Sequence, residues 1–378
     1  MIYLDYNSTT PVDSRVLEAM LPYFTEKFGN AASKTHSFGW VAEAAVEQAR
    51  ERVGKLINAI PNEIIFTSGA TEAINLALKG VFENYQSKGN HIVTVSTEHK
   101  AVLDTCQYLE TKGAQVTYLP VNREGLIDLN QLSNSITQST ILVCVMYANN
   151  ETGVIQPINE IAKIVHEKGS IFMCDATQAV GKIKVDVESD GIDLLSLSAH
   201  KMYGPKGIGS LFVRRKNPRV TLSPLIHGGG HERGLRSGTL NVPGIVGLGK
   251  ACEIAEKEMW DDATRISQLR TMLEQKLLDI GNVFVNGSIK NRLPNVTNLS
   301  FSGIKADSLI AQLPDIAVSS GSACTSAIAE PSHVLKAMEI SDEMAYSSIR
   351  FSLGKFTTKE EIEITLGKIK EKIKEIKS

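Results

Sequence analysis

The sequence lacks the features that mark several classes of protein. Its 378 residues carry a formal net charge of −2, and so small a charge gives no electrostatic basis for binding nucleic acid or a membrane surface. No apolar run is long enough to span a bilayer, and the opening residues, MIYLDYNSTTPVD, have neither the basic region nor the apolar core of a secretory signal. We therefore expect a cytoplasmic globular protein with no nucleic-acid or membrane partner.

Disulfide and metal-binding patterns are also missing. The five cysteines include no CxxC pair, which argues against a disulfide framework and a structural zinc site. His227 and His231 in HGGGH have no third candidate ligand nearby, so we expect a flexible loop there and no resident metal.

One cysteine has surroundings unlike those of the others. Four lie in apolar or helix-like stretches, where cysteine is usually a small core residue: Cys106, Cys144, Cys174 and Cys252. Cys324 is set in SSGSACTSA, a small and polar stretch that is typical of a loop with an exposed thiol.

Most of the chain alternates strand-like and helix-like segments. EIIF, HIVTVS, QVTYLPV, TILVCVMY, SIFMC and DLLSL read as strands, and helical patterns lie between most of them. Such alternation predicts an α/β fold with a largely parallel sheet that helices cover on both faces.

Polar residues follow the predicted strands at their carboxyl ends. The residues concerned are His99, Asn150, Asp175, Gln178, His200 and Lys201. Each has an ordinary alternative, such as a helix entry for His99, a turn for Asn150 and a cap for Asp175. Because the carboxyl ends of parallel strands form the ligand crevice, their shared location favours one common site.

Two stretches indicate the chemistry of that site. Lys201 comes directly after a buried strand, where a neutral amine could form a Schiff base with an aldehyde cofactor, although an ordinary surface lysine is the alternative. Ser68-Gly69-Ala70-Thr71 stands between a strand and a helix. This is the arrangement of a phosphate site at a helix N-terminus, and a plain tight turn is the alternative.

The C-terminal third has a different pattern. A long helix is predicted over ACEIAEKEMWDDATRISQLRTMLEQKLLDI, followed by strands in VTNLSFSG, IAVSSGSAC and SSIRFSLG. These indicate a smaller α+β domain. We expect a large domain over residues 14–250 and a small domain made of residues 1–13 and 251–378.

With these residues in hand, the chain resembles the cysteine desulfurases of the NifS/IscS family, pyridoxal-phosphate enzymes of aminotransferase fold type I. The resemblance runs through FTSGATEA, TEHKAVLDTC, NNETG, DATQAVGK, SAHKMYGPKGIG, HGGGHERGLRSGT and SSGSACTS, in that order. It implies a large domain with a mostly parallel seven-stranded sheet.

The resemblance also implies roles for individual residues. Lys201 would carry pyridoxal 5'-phosphate, Asp175 would pair with its ring nitrogen, and His99 would stack on its ring. Gln178 and Asn150 would address its phenolic oxygen and the substrate. The phosphate would be held by Ala70, Thr71, Ser198 and His200, with Thr239 from the second subunit of a homodimer. Arg350 can grip the substrate carboxylate with two parallel hydrogen bonds.

The implied reaction converts L-cysteine to L-alanine. Lys201 would act as base, Cys324 would take the sulfur as a persulfide, and His99 would carry a proton. Sulfur would then pass to an iron-sulfur scaffold protein and other acceptors, where Cys324 could transiently bind a 2Fe-2S cluster. Two alternatives remain: a selenocysteine lyase or SufS-type desulfurase, and a cofactor-binding interaction partner with little turnover.

The sequence departs from the family pattern at two places. FGNAAS has no proline after its asparagine, which changes the expected shape of that turn. The chain ends at Ser378, short of the tail through which related proteins dock their scaffold. We therefore expect a weaker or different mode of scaffold binding.

Overall fold

The computed structural model of the chain describes residues 1–320 and 330–377. The strands are β1 Ile2–Tyr3, β2 Ile64–Thr67, β3 His91–Val95, β4 Gln115–Leu119, β5 Thr140–Cys144, β6 Ile171–Asp175, β7 Leu194–Ser198, β8 Gly209–Val213, β9 Val283–Val285, β10 Val296–Phe301, β11 Ile316–Ala317, β12 Ser319–Ser320 and β13 Ser348–Ser352. The helices are α1 Ser14–Met20, α2 Pro22–Thr25, α3 Ser37–Leu56, α4 Ala70–Asn84, α5 Lys100–Glu110, α6 Leu129–Ser135, α7 Ile158–Glu167, α8 Val242–Leu278, α9 Ala306–Ala311, α10 His333–Ala337, α11 Asp342–Tyr346 and α12 Lys359–Lys377.

A seven-stranded sheet forms the centre of the larger part of the chain. Its strand order is β2-β8-β7-β6-β5-β3-β4. Only β8 runs antiparallel to its neighbours, β2 and β7. The strands β2, β3, β5, β6 and β7 are buried along their whole length, as expected of a sheet that helices cover on both faces. The mostly parallel seven-stranded sheet is confirmed.

The helices pack on the sheet through apolar stripes at helical spacing. In α7 the buried side chains are Ile158, Ile161, Ala162 and Val165, the i, i+3, i+4, i+7 pattern of an amphipathic helix. The two faces of the sheet contribute to separate apolar clusters: Phe66, Val93 and Val143 belong to one, and Ile65, Ile92 and Leu142 to the other.

Helix α8 begins earlier than its sequence pattern predicted. The prediction placed its start at Ala251, but the helix runs from Val242 to Leu278, and Asn241 caps it by accepting a hydrogen bond from the amide of Gly244. The first turns contain glycines, which weaken a helical pattern. A Cβ at Gly249 would lie 2.6 Å from the Cβ of Ala49 in α3, so close packing of α8 on α3 explains why glycine stands there.

The smaller part of the chain surrounds an antiparallel four-stranded sheet of order β12-β13-β10-β9. Its apolar cluster includes Leu4, the second half of α8 from Ile266 to Leu277, and Ile362 to Ile373 of α12. The N-terminal segment thus packs with the C-terminal third, because β1 pairs with β11 and Asp5 bridges to Ser352. The smaller α+β unit is confirmed, while the residue limits of the two domains stay a prediction.

None of the helices within residues 1–320 and 330–377 has the length and hydropathy needed to cross a bilayer.

Candidate active site

A cavity of about 680 Å³ opens at the carboxyl edge of the seven-stranded sheet. The predicted site residues that line it are Ala70, Thr71, His99, Asn150, Asp175, Gln178, Ser198, His200, Lys201 and Arg350. The structure therefore brings together residues from the ends of β2, β3, β5, β6 and β7, and adds one from β13. Thr239 is exposed and lies outside this lining, and Cys324 lies outside the described residues.

Lys201 stands in a short 3₁₀ turn, Ala199–Lys201, that follows β7. Its amine donates to the backbone oxygens of Asn7 at 2.6 Å and Ser8 at 2.7 Å. Burial, together with the positive charge of Arg350, lowers the pKa of Lys201 to about 8, although the carboxylates of Asp5 and Asp175 oppose the change. An amine with this pKa is partly neutral near pH 7, as a nucleophile or base must be.

Asp175 ends β6 with its side chain buried. Its Oδ1 accepts hydrogen bonds from the amide of Thr177 at 3.1 Å and the hydroxyls of Thr177 and Ser196 at 2.5 and 2.9 Å. Three donors on one oxygen fix the direction of the carboxylate. A carboxylate of fixed orientation therefore lines the cavity.

His99 is both a helix entry and a cavity residue. Its Nδ1 accepts a hydrogen bond from the amide of Ala101, which caps α5. Burial lowers the pKa of His99, and nearby Lys201 lowers it as well, while Asp175 raises it. A neutral ring that accepts at Nδ1 carries its proton on Nε2, so the imidazole can donate from Nε2.

The N-terminus of α4 lies at the cavity. Gly69 precedes the helix at φ 155°, and no side chain caps the first turn. The unpaired amides there favour an anion. Burial raises the pKa of Glu72, but donors from Arg236 and Ser68 outweigh it and leave the pKa below its ordinary value.

Two more predicted phosphate residues, Ser198 and His200, line the cavity. Ser198 ends β7 with its side chain buried. His200 faces the hydroxyl of Thr9, with 3.1 Å between Nδ1 and Oγ1. Burial, with the charges of Lys201 and Lys206, lowers the pKa of His200 to about 4, so its ring is neutral near pH 7.

Arg350 reaches the cavity from β13 in the smaller unit. One guanidinium nitrogen donates to the backbone oxygen of Asn150 at 3.0 Å, and the other to Asp5 at 2.6 Å and Ser8 at 2.7 Å. Its Nε is buried and has no hydrogen-bond partner among the described residues. A buried unpaired donor of a charged group favours an anionic ligand.

Sequence reasoning missed a group of residues from the N-terminal segment. Asn7, Ser8 and Thr9 line the cavity. Asn7 connects the site because its backbone oxygen accepts from Gln178 at 2.9 Å and its side chain donates to the backbone oxygen of Asn150 at 3.1 Å. The signal available in the sequence was the run of short polar residues in LDYNSTT.

The remaining cysteines are core residues. Cys106, Cys144, Cys174 and Cys252 are buried, as predicted. Burial raises the pKa of the Cys106 thiol to about 12 and that of the Cys144 and Cys174 thiols well above the ordinary value. These four thiols stay protonated near neutral pH and are poor nucleophiles.

Comparison with known proteins assigns the chain to a class. The model of the family Aminotransferase class-V matches residues 2–365, so the chain belongs to that family. The cysteine desulfurase IscS of Anaeromyxobacter dehalogenans is 55% identical over 377 residues, which are 100% of this chain and 93% of the relative. The IscS of Methylococcus capsulatus is 55% identical over 372 residues, covering 98% and 92% of the two chains.

Solved structures agree with this assignment. A NifS-like protein superposes with a TM-score of 0.92 at 42% identity, covering 99% of each chain. The structure of SspA in complex with cysteine gives a TM-score of 0.84 at 38% identity, covering 95% of this chain and 100% of that one. Within its family the chain is a pyridoxal-phosphate-dependent cysteine desulfurase of the NifS/IscS type.

The cavity fits pyridoxal phosphate on its own residues. It offers an amine of lowered pKa in Lys201, a fixed carboxylate in Asp175, and free amide donors at the start of α4. These groups match, in turn, an aldehyde, a ring nitrogen that binds a proton, and a phosphate.

Proposed function

We propose that the chain removes sulfur from L-cysteine with Lys201, His99 and Cys324 as its catalytic residues. The observation that carries this proposal is the convergence of Lys201, Asp175, His99 and the open N-terminus of α4 on one cavity. When bound, pyridoxal phosphate supplies an aldehyde for the substrate amine and a ring that accepts electrons.

The cofactor would be held along the length of the cavity. Lys201 would bond to its aldehyde carbon, and Asp175 would keep a proton on its ring nitrogen. His99 would stack on the ring, and Gln178 and Asn150 would address its phenolic oxygen and the substrate. The phosphate would be bound by Ala70, Thr71, Ser198 and His200, with Thr239 of the second subunit.

The chain's own groups would move the protons. Arg350 would bind the substrate carboxylate, for which its unpaired Nε is a suitable donor. The amine of Lys201 would take the proton from the substrate Cα. His99, in the same cavity, would donate its Nε2 proton in a later step. These roles need a neutral Lys201 at the start, which its pKa of about 8 permits.

Cys324 would then accept the sulfur. Its thiolate would bond to the substrate sulfur while the Cβ–sulfur bond breaks, leaving the electron pair on the carbon side. Protons returned to the carbon atoms complete alanine, and Cys324 is left as a persulfide. The sum is cysteine plus enzyme thiol giving alanine plus enzyme persulfide, so atoms and electrons balance.

The wider assignment follows the relatives named IscS. We propose that the protein acts as a cytoplasmic homodimer and passes persulfide sulfur to acceptor proteins, among them an iron-sulfur scaffold.

The experiment that tests the function measures alanine and enzyme persulfide after adding cysteine to the purified holoenzyme. We expect one alanine for each persulfide in the first turnover, and continued turnover with a thiol reductant. A parallel assay with selenocysteine distinguishes a cysteine desulfurase from a selenocysteine lyase. Cofactor binding without alanine would contradict the proposal and favour an interaction partner.

A further inference from the structure

Lys182 lies behind the cavity, where the established activity gives it no role. It is partly buried and is not among the residues that line the cavity. Its amine donates to Oε1 of Gln178 at 2.5 Å and to Oδ1 of Asn7 at 3.2 Å. Within residues 1–320 and 330–377 it forms no ion pair, and the charged groups that act on it, Lys201 and Arg350, are both positive. Buried lysines usually pair with a carboxylate, whereas the partners of Lys182 are two amide oxygens.

Asn7 links Lys182 to the proposed cofactor lysine. The backbone oxygen of Asn7 accepts from Lys201 at 2.6 Å and from Nε2 of Gln178 at 2.9 Å. Its Oδ1 accepts from Lys182 and, at 2.9 Å, from Nδ2 of Asn295. Both lysines and the glutamine amide are therefore connected through one buried residue.

We propose that Lys182 is a positioning residue that fixes the orientation of the Gln178 amide. The inference rests on the proposed cofactor site and deepens it. Gln178 has its oxygen against the Lys182 amine and its nitrogen against the Asn7 oxygen. The reversed amide would set oxygen against oxygen and NH₂ against the amine, so only one orientation is compatible with both neighbours.

The fixed orientation has a chemical consequence. Nε2 of Gln178 carries two hydrogens, of which one is used by Asn7. Because Gln178 lines the cavity, the second is available to an acceptor there. In the proposed site that acceptor is the phenolic oxygen of the cofactor, and a held N–H donor favours its negatively charged form.

Burial and neighbouring positive charges lower the pKa values of both lysines. Burial lowers the pKa of Lys182 well below its ordinary value, with Lys201 and Arg350 adding to the effect. Lys201 itself faces Arg350, Asp5 and Asp175. Lys182 can thus donate to Gln178 and Asn7 without placing a full second charge beside Lys201.

The test replaces the amine and follows the cofactor spectrum of the holoenzyme. In Lys182→Met, Gln178 loses its donor, so we expect the pH midpoint of the change in visible absorption to rise by about one unit. Lys184→Met is the matched control, because the Lys184 side chain is 67% exposed and pairs with Asp186 at 3.7 Å. Its midpoint should equal that of the unaltered protein.

A double-mutant cycle separates positioning from a general structural effect. If Lys182 acts through Gln178, Lys182→Met should cause no further shift in a Gln178→Ala background. An unchanged midpoint in Lys182→Met, or a shift of equal size in both backgrounds, would overturn the proposal. Should Lys182→Met not fold, Lys182→Gln carries the same test, because its amide nitrogen lies one bond nearer the backbone than the lysine Nζ does and no longer stands between the two oxygens.

A crystal structure of cofactor-free Lys182→Met gives a readout that needs no bound cofactor. We expect the Gln178 amide to leave the Asn7 oxygen or to occupy two orientations. A Gln178 side chain that stays in place would overturn the proposal. If the unaltered protein bound no cofactor, the proposed site would fail instead, and this structure would still decide the role of Lys182.

Discussion

The amine of Lys201 donates a 2.6 Å hydrogen bond to the backbone oxygen of Asn7, which lies 194 residues earlier in the chain. A neutral oxygen stabilises the amine without supplying a countercharge. Burial together with Arg350 therefore lowers the pKa of Lys201 from 10.5 to about 8. The N-terminal segment thus helps to set the reactivity of a lysine at the centre of the sheet.

The pKa of Lys201 predicts how cofactor uptake depends on pH. Only the neutral amine attacks an aldehyde, and the amine is protonated below its pKa and neutral above it. The rate at which cofactor-free protein gains visible absorption from pyridoxal phosphate should rise with a midpoint near pH 8. A midpoint near 10.5, the ordinary pKa of lysine, would contradict this account. Lys201→Arg gives the background absorption, because it has no amine to react with the aldehyde.

Removing the thiol of Cys324 should separate cofactor binding from sulfur transfer. We expect Cys324→Ala to keep the visible absorption of the bound cofactor and to form no persulfide, because the groups that bind the cofactor are intact. Cys106→Ala is the control, since burial raises the pKa of that thiol to about 12 and it should leave persulfide formation unchanged. Mass spectrometry of the intact protein after cysteine is added detects the persulfide sulfur in both variants. Sulfide release from Cys324→Ala at the unaltered rate would exclude this cysteine as the acceptor.

Arg350→Lys should weaken substrate binding more than it slows turnover. Lysine cannot reproduce the planar pair of donors that a carboxylate accepts, and a hydrogen bond to a charged group contributes about 1.5–3 kcal/mol. We expect the KM for cysteine to rise roughly ten- to hundredfold, with a smaller change in kcat. Arg123→Lys, at a side chain 82% exposed, should change neither constant. A fall in kcat at constant KM would argue against carboxylate binding by Arg350.

The main features of the fold follow from local sequence patterns. Buried runs such as those of β5 and β6 are continuous apolar stretches, and the placement of Asp175 and Lys201 after their strands follows from the geometry of a parallel sheet. Predicting those positions required no information about distant contacts. The start of α8 was predicted too late because its glycines, such as Gly249, are explained only by the close approach of Ala49 in α3.

The residues that tune the site depend on long-range pairing instead. Asp5 and Arg350 are 345 positions apart, and Asn7 meets Lys182 only because the N-terminal segment crosses the carboxyl edge of the sheet. Periodicity predicts which face of an element is buried, but it carries no information about which distant segment covers that face. The contacts of Asn7, Asp5 and Lys182 therefore could not be predicted from local pattern, although the polar run LDYNSTT marked the segment that contains Asn7.

Gly209 should be intolerant of any side chain. It begins β8 beside the turn that precedes α4, and a Cβ there would lie 2.5 Å from the oxygen of Leu197 and 2.8 Å from the Cα of Gly69. Both neighbours are backbone, so we expect Gly209→Ala to lower the free energy of unfolding by roughly 1–3 kcal/mol and to weaken cofactor binding. Gly367→Ala in α12, where a Cβ meets nothing within 4 Å, should be neutral or stabilising by up to about 1 kcal/mol. Urea titration measures both, and equal stability of the two variants would contradict the packing argument.

Asp13 should contribute stability that acid removes. Hydrogen bonds from Arg15 lower the pKa of Asp13 from 3.8 to about 2. A lowered folded-state pKa gives stability that is present above the unfolded value of 3.8 and is lost as the pH falls through about 2. Asp13→Asn should therefore cost about 1 kcal/mol near pH 6, with a smaller difference near pH 3. Urea unfolding at the two pH values measures the difference in free energy of unfolding between the variant and the unaltered protein. A larger difference at pH 3 than at pH 6 would contradict the prediction.

The central claim is that Lys201, and no other lysine, is joined to pyridoxal phosphate. Borohydride reduces a carbon–nitrogen double bond to a stable amine, so treating the holoenzyme with it and mapping the peptides by mass spectrometry reads the attachment directly. We predict the pyridoxyl mass on Lys201 alone, with Lys182 and Lys206 unmodified. A mark on Lys182 or Lys206 in place of Lys201, or no mark on a protein that retains its colour, would contradict the account.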